Sequence, residues 1–183
     1  NNYHPTDYSK SLGKITVRRA VESSQNIPFV EIMEKLKPKN SIKYLEKMGV
    51  TTLTEEDNSL PLALGGLEKG ISPLQMAGAY STIANDGIYI EPTFYTKIDK
   101  KDGTVFIKTS QKTKRVCSKQ VAYILKEILT QPVLGENGTA TYCKISGVDV
   151  AAKTGTTDEN YDRWLCGFTP YYTAVTWYGY DQN

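Results

Sequence analysis

The sequence predicts an α/β domain in which an antiparallel sheet is flanked by helices. Three observations lead there. Apolar residues recur at three- and four-residue spacing through the first half of the chain, as they do on amphipathic helices. The chain ends instead in three extended runs, 147–154, 162–169 and 173–180, the last two facing each other across a turn near Pro170. Finally, 183 residues with 39% hydrophobic and 23% charged side chains suffice for one domain with a substantial core.

Taken in order, Val17, Ala20 and Val21 in "TVRRAVESS" share one helical face and mark a short helix. A second helix is expected over 28–36, with Val30, Met33 and Leu36 on one face. "NSIKYLEKMGV" spaces Ile42, Leu45 and Met48 three apart and stops at Gly49. "SPLQMAGAYSTIANDG" carries the fullest helix signals: a Ser72/Gln75 capping box, Pro73 at the first helical position and Gly87 beyond the end. From Tyr89 to Lys108 the pattern changes to two extended runs around Asp102-Gly103, a hairpin signal. "SKQVAYILKEILTQP" returns to helix, with Ser118 as cap and Val121, Ile124, Leu125, Ile128 and Leu129 turned inward.

Composition removes several function classes. Twenty-two basic against twenty acidic residues give +2, which argues against a dedicated nucleic-acid binder. The cluster Lys112, Lys114, Arg115 and Lys119 reads as a solvated face. His4 is the single histidine and no Cys/His ligand spacing occurs, so neither a metal site nor any other cofactor is expected. The same count leaves a Ser-His-Asp triad without a nearby base. Cys117, Cys143 and Cys166 are odd in number and lack CxxC spacing, so no disulfide framework is expected. Cys166, inside "WLCGF", reads as a small buried hydrophobe. No apolar run reaches the length of a membrane span. The opening "NNYHPTDYSKS" has no leader character and reads as the interior of a longer polypeptide.

Two motifs carry chemistry. In "VAAKTGTTDEN" a run of small residues ends in Lys153, Thr154, Gly155, Thr156 and Thr157. Glycine in a strand lets another backbone or a substrate approach. A lysine there brings an ammonium into a cleft, and the threonine hydroxyls suit a carboxylate. A surface turn would explain the three letters Lys-Thr-Gly alone. Followed by an apolar antiparallel hairpin, they specify strand, turn and neighbours together. In "ESSQNIP", Ser24 and Asn26 set a hydroxyl and a carboxamide two residues apart, able to face one cavity from a loop. By themselves they fit a capping pair ahead of the next helix better than a catalytic pair.

Together the two motifs match two of the three signatures of serine penicillin-recognising enzymes: Ser-x-x-Lys, Ser-x-Asn and Lys-Thr-Gly. The stretches "GKITVRRAVESSQNIPFV", "LALGGLEKGISPLQMAGAYSTIANDGIYIEP" and "GENGTATYCKISGVDVAAKTGTTDENYDRWLCGFTPYYTAVTWYGYD" resemble, in order, consecutive blocks of class A penicillin-binding proteins. The resemblance spans nearly the whole chain. It implies the penicillin-binding/β-lactamase-like transpeptidase fold, incomplete here, with residues 1–183 as the C-terminal part of the transpeptidase domain. The Ser-x-x-Lys nucleophile of the family lies about fifty residues before Ser-x-Asn, upstream of Asn1. Ser11-Leu12-Gly13-Lys14 matches the string, but Gly13 disfavours the helix that must present serine and lysine on one face.

The resemblance further implies acyl transfer through a serine ester, cross-linking peptidoglycan stem peptides. Partners would be a D-Ala-D-Ala donor, an amine acceptor, β-lactam antibiotics and the segment that carries the nucleophile. Ser24 would relay a proton, Asn26 would bind the substrate amide, and Lys153 would hold Ser24 and attract the terminal carboxylate. Thr154 and Thr156 would bind that carboxylate beside Gly155, with the Thr156 N–H in the oxyanion hole. The extracytoplasmic membrane face is the expected location, with the anchor outside this chain. Tyr161, Arg163 and Trp164 either line the cleft mouth or pack the sheet edge. Two alternatives stay open on the sequence. One is a serine β-lactamase using a carboxylate among Glu55, Glu56 and Asp57; the other is a non-catalytic β-lactam sensor.

Overall fold

The computed structural model describes residues 3–7 and 9–180. Helix α1 (Val17–Glu22) begins where the Thr16 hydroxyl accepts the Arg19 N–H, and it buries Ala20, Val21 and Glu22. Helix α2 (Ile27–Leu36) buries Val30 and Met33, whereas Leu36, expected on the same face, is exposed. Helix α3 (Pro38–Lys47) starts at its proline and buries no side chain fully. It ends before Gly49, where φ is +86° and a Cβ would overlap the Tyr89 ring, so only glycine fits. A short 3₁₀ turn, Leu60–Leu64, was not anticipated. Helix α4 (Pro73–Ala84) opens on the expected capping box, with both reciprocal bonds formed.

The expected hairpin around Asp102-Gly103 joins β2 (Lys97–Asp99) to β3 (Val105–Lys108). The run at residue 89 belongs elsewhere. It forms β1 (Ile88–Ile90), whose partner is β4 (Thr113–Arg115), a segment too polar to signal a strand. Helix α5 (Lys119–Leu129) is capped by Ser118 as predicted, but its inward face needs correction. Ala122 is fully buried and Leu125, Ile128 and Leu129 half-buried, while Val121 and Ile124 are 47% and 56% exposed. The apolar arc of α5 is wider than the surface that α1, α4 and the short helix α6 (Gln131–Leu134) present to it.

The last three strands, β5 (Ala151–Thr156), β6 (Asp162–Phe168) and β7 (Thr173–Gly179), form one antiparallel sheet in that order. The first begins later than the predicted 147–154, because Gly147 (φ +75°) turns the chain before it, and it runs on through Thr156. Alternation assigns its side chains to two faces. Ala152 packs with Val133 of α6, Ala140 and Val150, and Leu165 joins them. Lys153 and its partner Cys166 lie on the other face, beside Tyr80 of α4, so helices cover both sides. Cys166 is 3% exposed, as expected of a buried hydrophobe. The β5 edge has no strand beyond it among the described residues. That leaves one row of its backbone donors and acceptors facing outward.

Candidate active site

The chain leaves α1 through Ser23 and enters α2 at Ile27, and the tight reversal between them places Ser24 at φ +53°. A non-glycine residue there carries backbone strain of about 1–2 kcal/mol. Surrounding bonds hold it. Gln25, 2% exposed, donates to Ser9 Oγ at 2.9 Å and accepts from Leu12 N at 3.2 Å. Asp7 Oδ1 accepts the N–H groups of Asn26 (2.6 Å) and Ile27 (3.1 Å), so Asp7 supplies the cap that sequence had offered to Ser24 and Asn26. The Asn26 side chain makes no capping bond. Its Nδ2 donates to Thr6 O at 2.8 Å, and its Oδ1 accepts no hydrogen bond among the described residues.

Opposite stands β5. Lys153 Nζ donates to Ser24 Oγ at 2.8 Å and to Thr154 O at 2.6 Å, joining residues 129 positions apart. Burial lowers the lysine to about 8, and a thiolate at Cys166 would act in the opposite direction. That thiol is itself pushed up to about 11 by burial, so it is neutral near pH 7 and desolvation governs Lys153. Gly155 faces only the Trp164 side chain, at 3.4 Å from where its Cβ would sit. Packing within the chain therefore does not demand glycine.

Of the predicted residues, Ser24 and Lys153 are in contact, Thr154 and Thr156 follow on the same strand, and Asn26 is two residues from Ser24. Asn26 makes no direct hydrogen bond to Ser24 or Lys153. Reasoning from sequence placed Gly138-Thr139-Ala140 in the resemblance but gave no role to Thr139, whose hydroxyl is 3.0 Å from that of Thr154. It also missed Glu22, 8% exposed, which pairs with Arg19 at 2.7 Å and accepts Asn137 N at 3.1 Å. Only a buried carboxylate on an apolar helix face, read beside the glycine-rich "GENGT", could have signalled that pair.

The remaining candidates take no part in the Lys153–Ser24 bond. Ser11 to Lys14 is not helical, and Gly13 turns at φ +66°. Burial raises the Asp57 carboxyl, but donation from Glu68 N and Thr54 outweighs it and leaves the group low, a structural carboxylate. Glu55 and Glu56 are exposed. No carboxylate among the described residues bonds Ser24 or Lys153. Trp164, in the central strand, packs on Trp177, Tyr161 packs on Tyr180, and Arg163 donates to Asn160, so these three contribute to sheet packing. Two surface hollows, about 340 Å³ beside Phe94 and Lys112 and about 560 Å³ between Tyr123 and Pro170, exclude Ser24, Asn26 and Lys153. Ser24 and Lys153 meet instead at β5, the terminal strand of its sheet among the described residues. No cluster of three His, Cys, Asp or Glu side chains among the described residues is placed to hold a metal.

A Lys-Thr-Gly edge strand bonded to a Ser-x-Asn turn is the arrangement that the resemblance implied for a penicillin-recognising domain. The chain belongs to the penicillin-binding protein transpeptidase domain family, whose model matches residues 1–181, and within it to the class A type. It is 37% identical over 172 residues to penicillin-binding protein 1A of Clostridium botulinum strain Langeland, covering 93% of this chain and 21% of that protein. It is 38% identical over 189 residues to penicillin-binding protein 1F of Bacillus subtilis, covering all of this chain and 26% of that one. The chain thus spans about a fifth to a quarter of the length of these relatives. Among solved structures, PonA1 of Mycobacterium tuberculosis superposes with a TM-score of 0.86 at 25% identity, over 97% of this chain and 51% of that one. PonA1 is also known in complex with penicillin V. Penicillin-binding protein 1A of Haemophilus influenzae, at 23% identity and a TM-score of 0.83 over 98% of this chain and 32% of that one, shares the fold.

Proposed function

We propose that this chain is the C-terminal part of a peptidoglycan D,D-transpeptidase that works by acyl transfer and is blocked covalently by β-lactams. The observation that carries the reading is the 2.8 Å bond from Lys153 Nζ to Ser24 Oγ. Because the lysine donates to that oxygen, the serine's own proton is free to be given away. The nucleophilic serine belongs to a segment outside residues 1–183. It attacks the D-Ala-D-Ala carbonyl, forming the acyl ester while the bond to the leaving D-Ala nitrogen breaks. The lysine of the nucleophile's own Ser-x-x-Lys motif takes the nucleophilic serine's proton. Ser24 gives its proton to the leaving nitrogen and is restored from that lysine, a relay in which Ser24 is the general acid. An acceptor amine then attacks the ester and releases the serine.

The other residues hold the substrate. Asn26 offers its unoccupied Oδ1 to a substrate amide N–H. Lys153 sets positive potential beside the terminal carboxylate, which Thr154 and Thr156 bind. The outer edge of β5 accepts the stem peptide as an added strand, and Gly155 keeps that approach open. The Thr156 N–H supplies half of the oxyanion hole, fixed before charge develops. Among the described residues no helix is long and apolar enough to cross a membrane. The anchor that holds the domain at the extracytoplasmic face, and the glycosyltransferase part of a bifunctional synthase, belong to other segments. The match of residues 1–181 to a transpeptidase domain family supports acyl transfer over β-lactamase hydrolysis.

Labelling with a fluorescent penicillin tests this. The natural full-length polypeptide should label, residues 1–183 alone should not, and adding the Ser-x-x-Lys segment should restore the adduct there. An adduct mapped by digestion to Ser11, or no labelling of the full-length polypeptide, would overturn the proposal.

A further inference from the structure

Resting on that reading, a second layer of bonds ties together the elements that carry Ser24 and Thr154. Glu22, the last residue of α1 and two residues before Ser24, is fixed by Arg19 at 2.7 Å and accepts the Asn137 N–H at 3.1 Å. The Asn137 carboxamide oxygen, in the orientation its neighbours dictate, accepts from both Arg19 terminal nitrogens at 3.0 Å. The loop is seated closely, since a Cβ at Gly135 would stand 2.5 Å from the Glu22 carboxyl. Two residues past Asn137, the Thr139 hydroxyl meets that of Thr154 at 3.0 Å. Ala140, fully buried, donates its N–H to Pro132 O at 2.8 Å and stops the loop from drifting. The ring closes through the Lys153–Ser24 bond.

We infer that Thr139 is a positioning residue that sets the Thr154 hydroxyl as a donor to the substrate's terminal carboxylate. A hydroxyl has one proton to give and lone pairs to receive. In the free site the two hydroxyls share one hydrogen bond, which either can donate. A carboxylate can only accept, so when it arrives Thr154 must turn its proton outward. Thr139 then donates to Thr154 Oγ1, giving a chain from Thr139 through Thr154 to the carboxylate. Such a chain polarises the outer hydroxyl and strengthens its bond to the anion. Thr139 touches no substrate in this account; it acts through Thr154. The Glu22–Arg19 pair, with its carboxylate buried, seats the loop that carries Thr139.

The test uses acylation by benzylpenicillin in the natural full-length polypeptide, separating the pre-acylation dissociation constant K from the chemical step k2. Thr139→Val should lower k2/K by roughly tenfold, the order expected for one hydrogen bond to a charged group, the loss falling on K while k2 stays within about twofold of wild type. Thr139→Ser, which keeps the hydroxyl, should stay within about twofold of wild type. Should Thr139→Val fail to fold, Thr139→Ala removes the hydroxyl without a second methyl and reads the same way. Wild-type kinetics in the hydroxyl-less variant, a loss confined to k2, or equal loss in the serine variant would overturn the inference. Those outcomes leave the transpeptidase reading standing as long as wild type acylates and Lys153→Met does not. No acylation of wild type would remove both.

Discussion

On one side of the site, β5 is held by six consecutive pairs with β6, its neighbour in the chain. On the other side, the Ser24 turn is strained and is held by bonds from the irregular segment around Thr6, Asp7, Ser9 and Leu12. The strand wall inherits its order from a hairpin that forms locally. The turn wall borrows its order from residues that have no regular structure of their own. Local order survives side-chain changes that borrowed order does not, so disturbances should reach the serine more easily than the lysine.

Severing the two walls gives the largest effect. Ser24→Ala should lower acylation by penicillin about a hundredfold or more, as loss of a placed donor does, with little change in unfolding temperature. A rate within about threefold of wild type would assign Ser24 to the turn alone.

Raising pH should loosen the junction next. Lys153 is a base whose value is depressed to about 8, so its ammonium is nearly complete at pH 7 and lost as pH rises through 8. The acylation rate should therefore fall roughly tenfold between pH 7 and pH 9, seen in a stopped-flow pH profile. The stability effect has the opposite sense. The unfolded lysine keeps its proton up to its ordinary 10.5, so between about 8 and 10.5 stability should rise with pH.

The strand wall can be tested apart from the turn. Gly155→Ala meets only Trp164, at ordinary contact distance. The fold should tolerate it within about 0.5 kcal/mol, while acylation falls several-fold because a methyl stands where the acyl donor approaches. Equal loss of stability and rate would show that Gly155 serves packing. The smallest effect belongs to the turn's support. Asp7→Ala removes the cap on Asn26 N and Ile27 N and should cost about 1 kcal/mol in denaturant unfolding, with a modest fall in acylation. If the rate is untouched, residues 6–12 do not order the serine.

The same contrast explains what the sequence could disclose. The Ser72 capping box, the Asp102-Gly103 hairpin and the paired runs behind Lys153 follow local rules, and the structure keeps them. Ser24 and Lys153 were legible because their motifs share a chemistry. The Asp7 cap, the Thr139 hydroxyl and the Glu22 anchor depend on contacts 15 to 115 residues apart, which no spacing rule encodes. Helix α5 shows the converse failure. Its periodicity marks Val121 and Ile124 as apolar, but which part of an apolar arc is covered is decided by the neighbours present.

Lys153 is where the two walls meet, and Lys153→Met tests most directly whether that meeting is functional. The measurement is the second-order rate of acylation by benzylpenicillin in the natural full-length polypeptide, read beside the unfolding temperature at pH 7. The charged amine is held in a desolvated position at that pH, so methionine should leave the unfolding temperature unchanged or slightly raised. The rate should fall by about a hundredfold or more, as when a fixed electrostatic donor is lost. An unchanged rate with a lowered unfolding temperature would make the Lys153–Ser24 bond a structural tie and contradict the account.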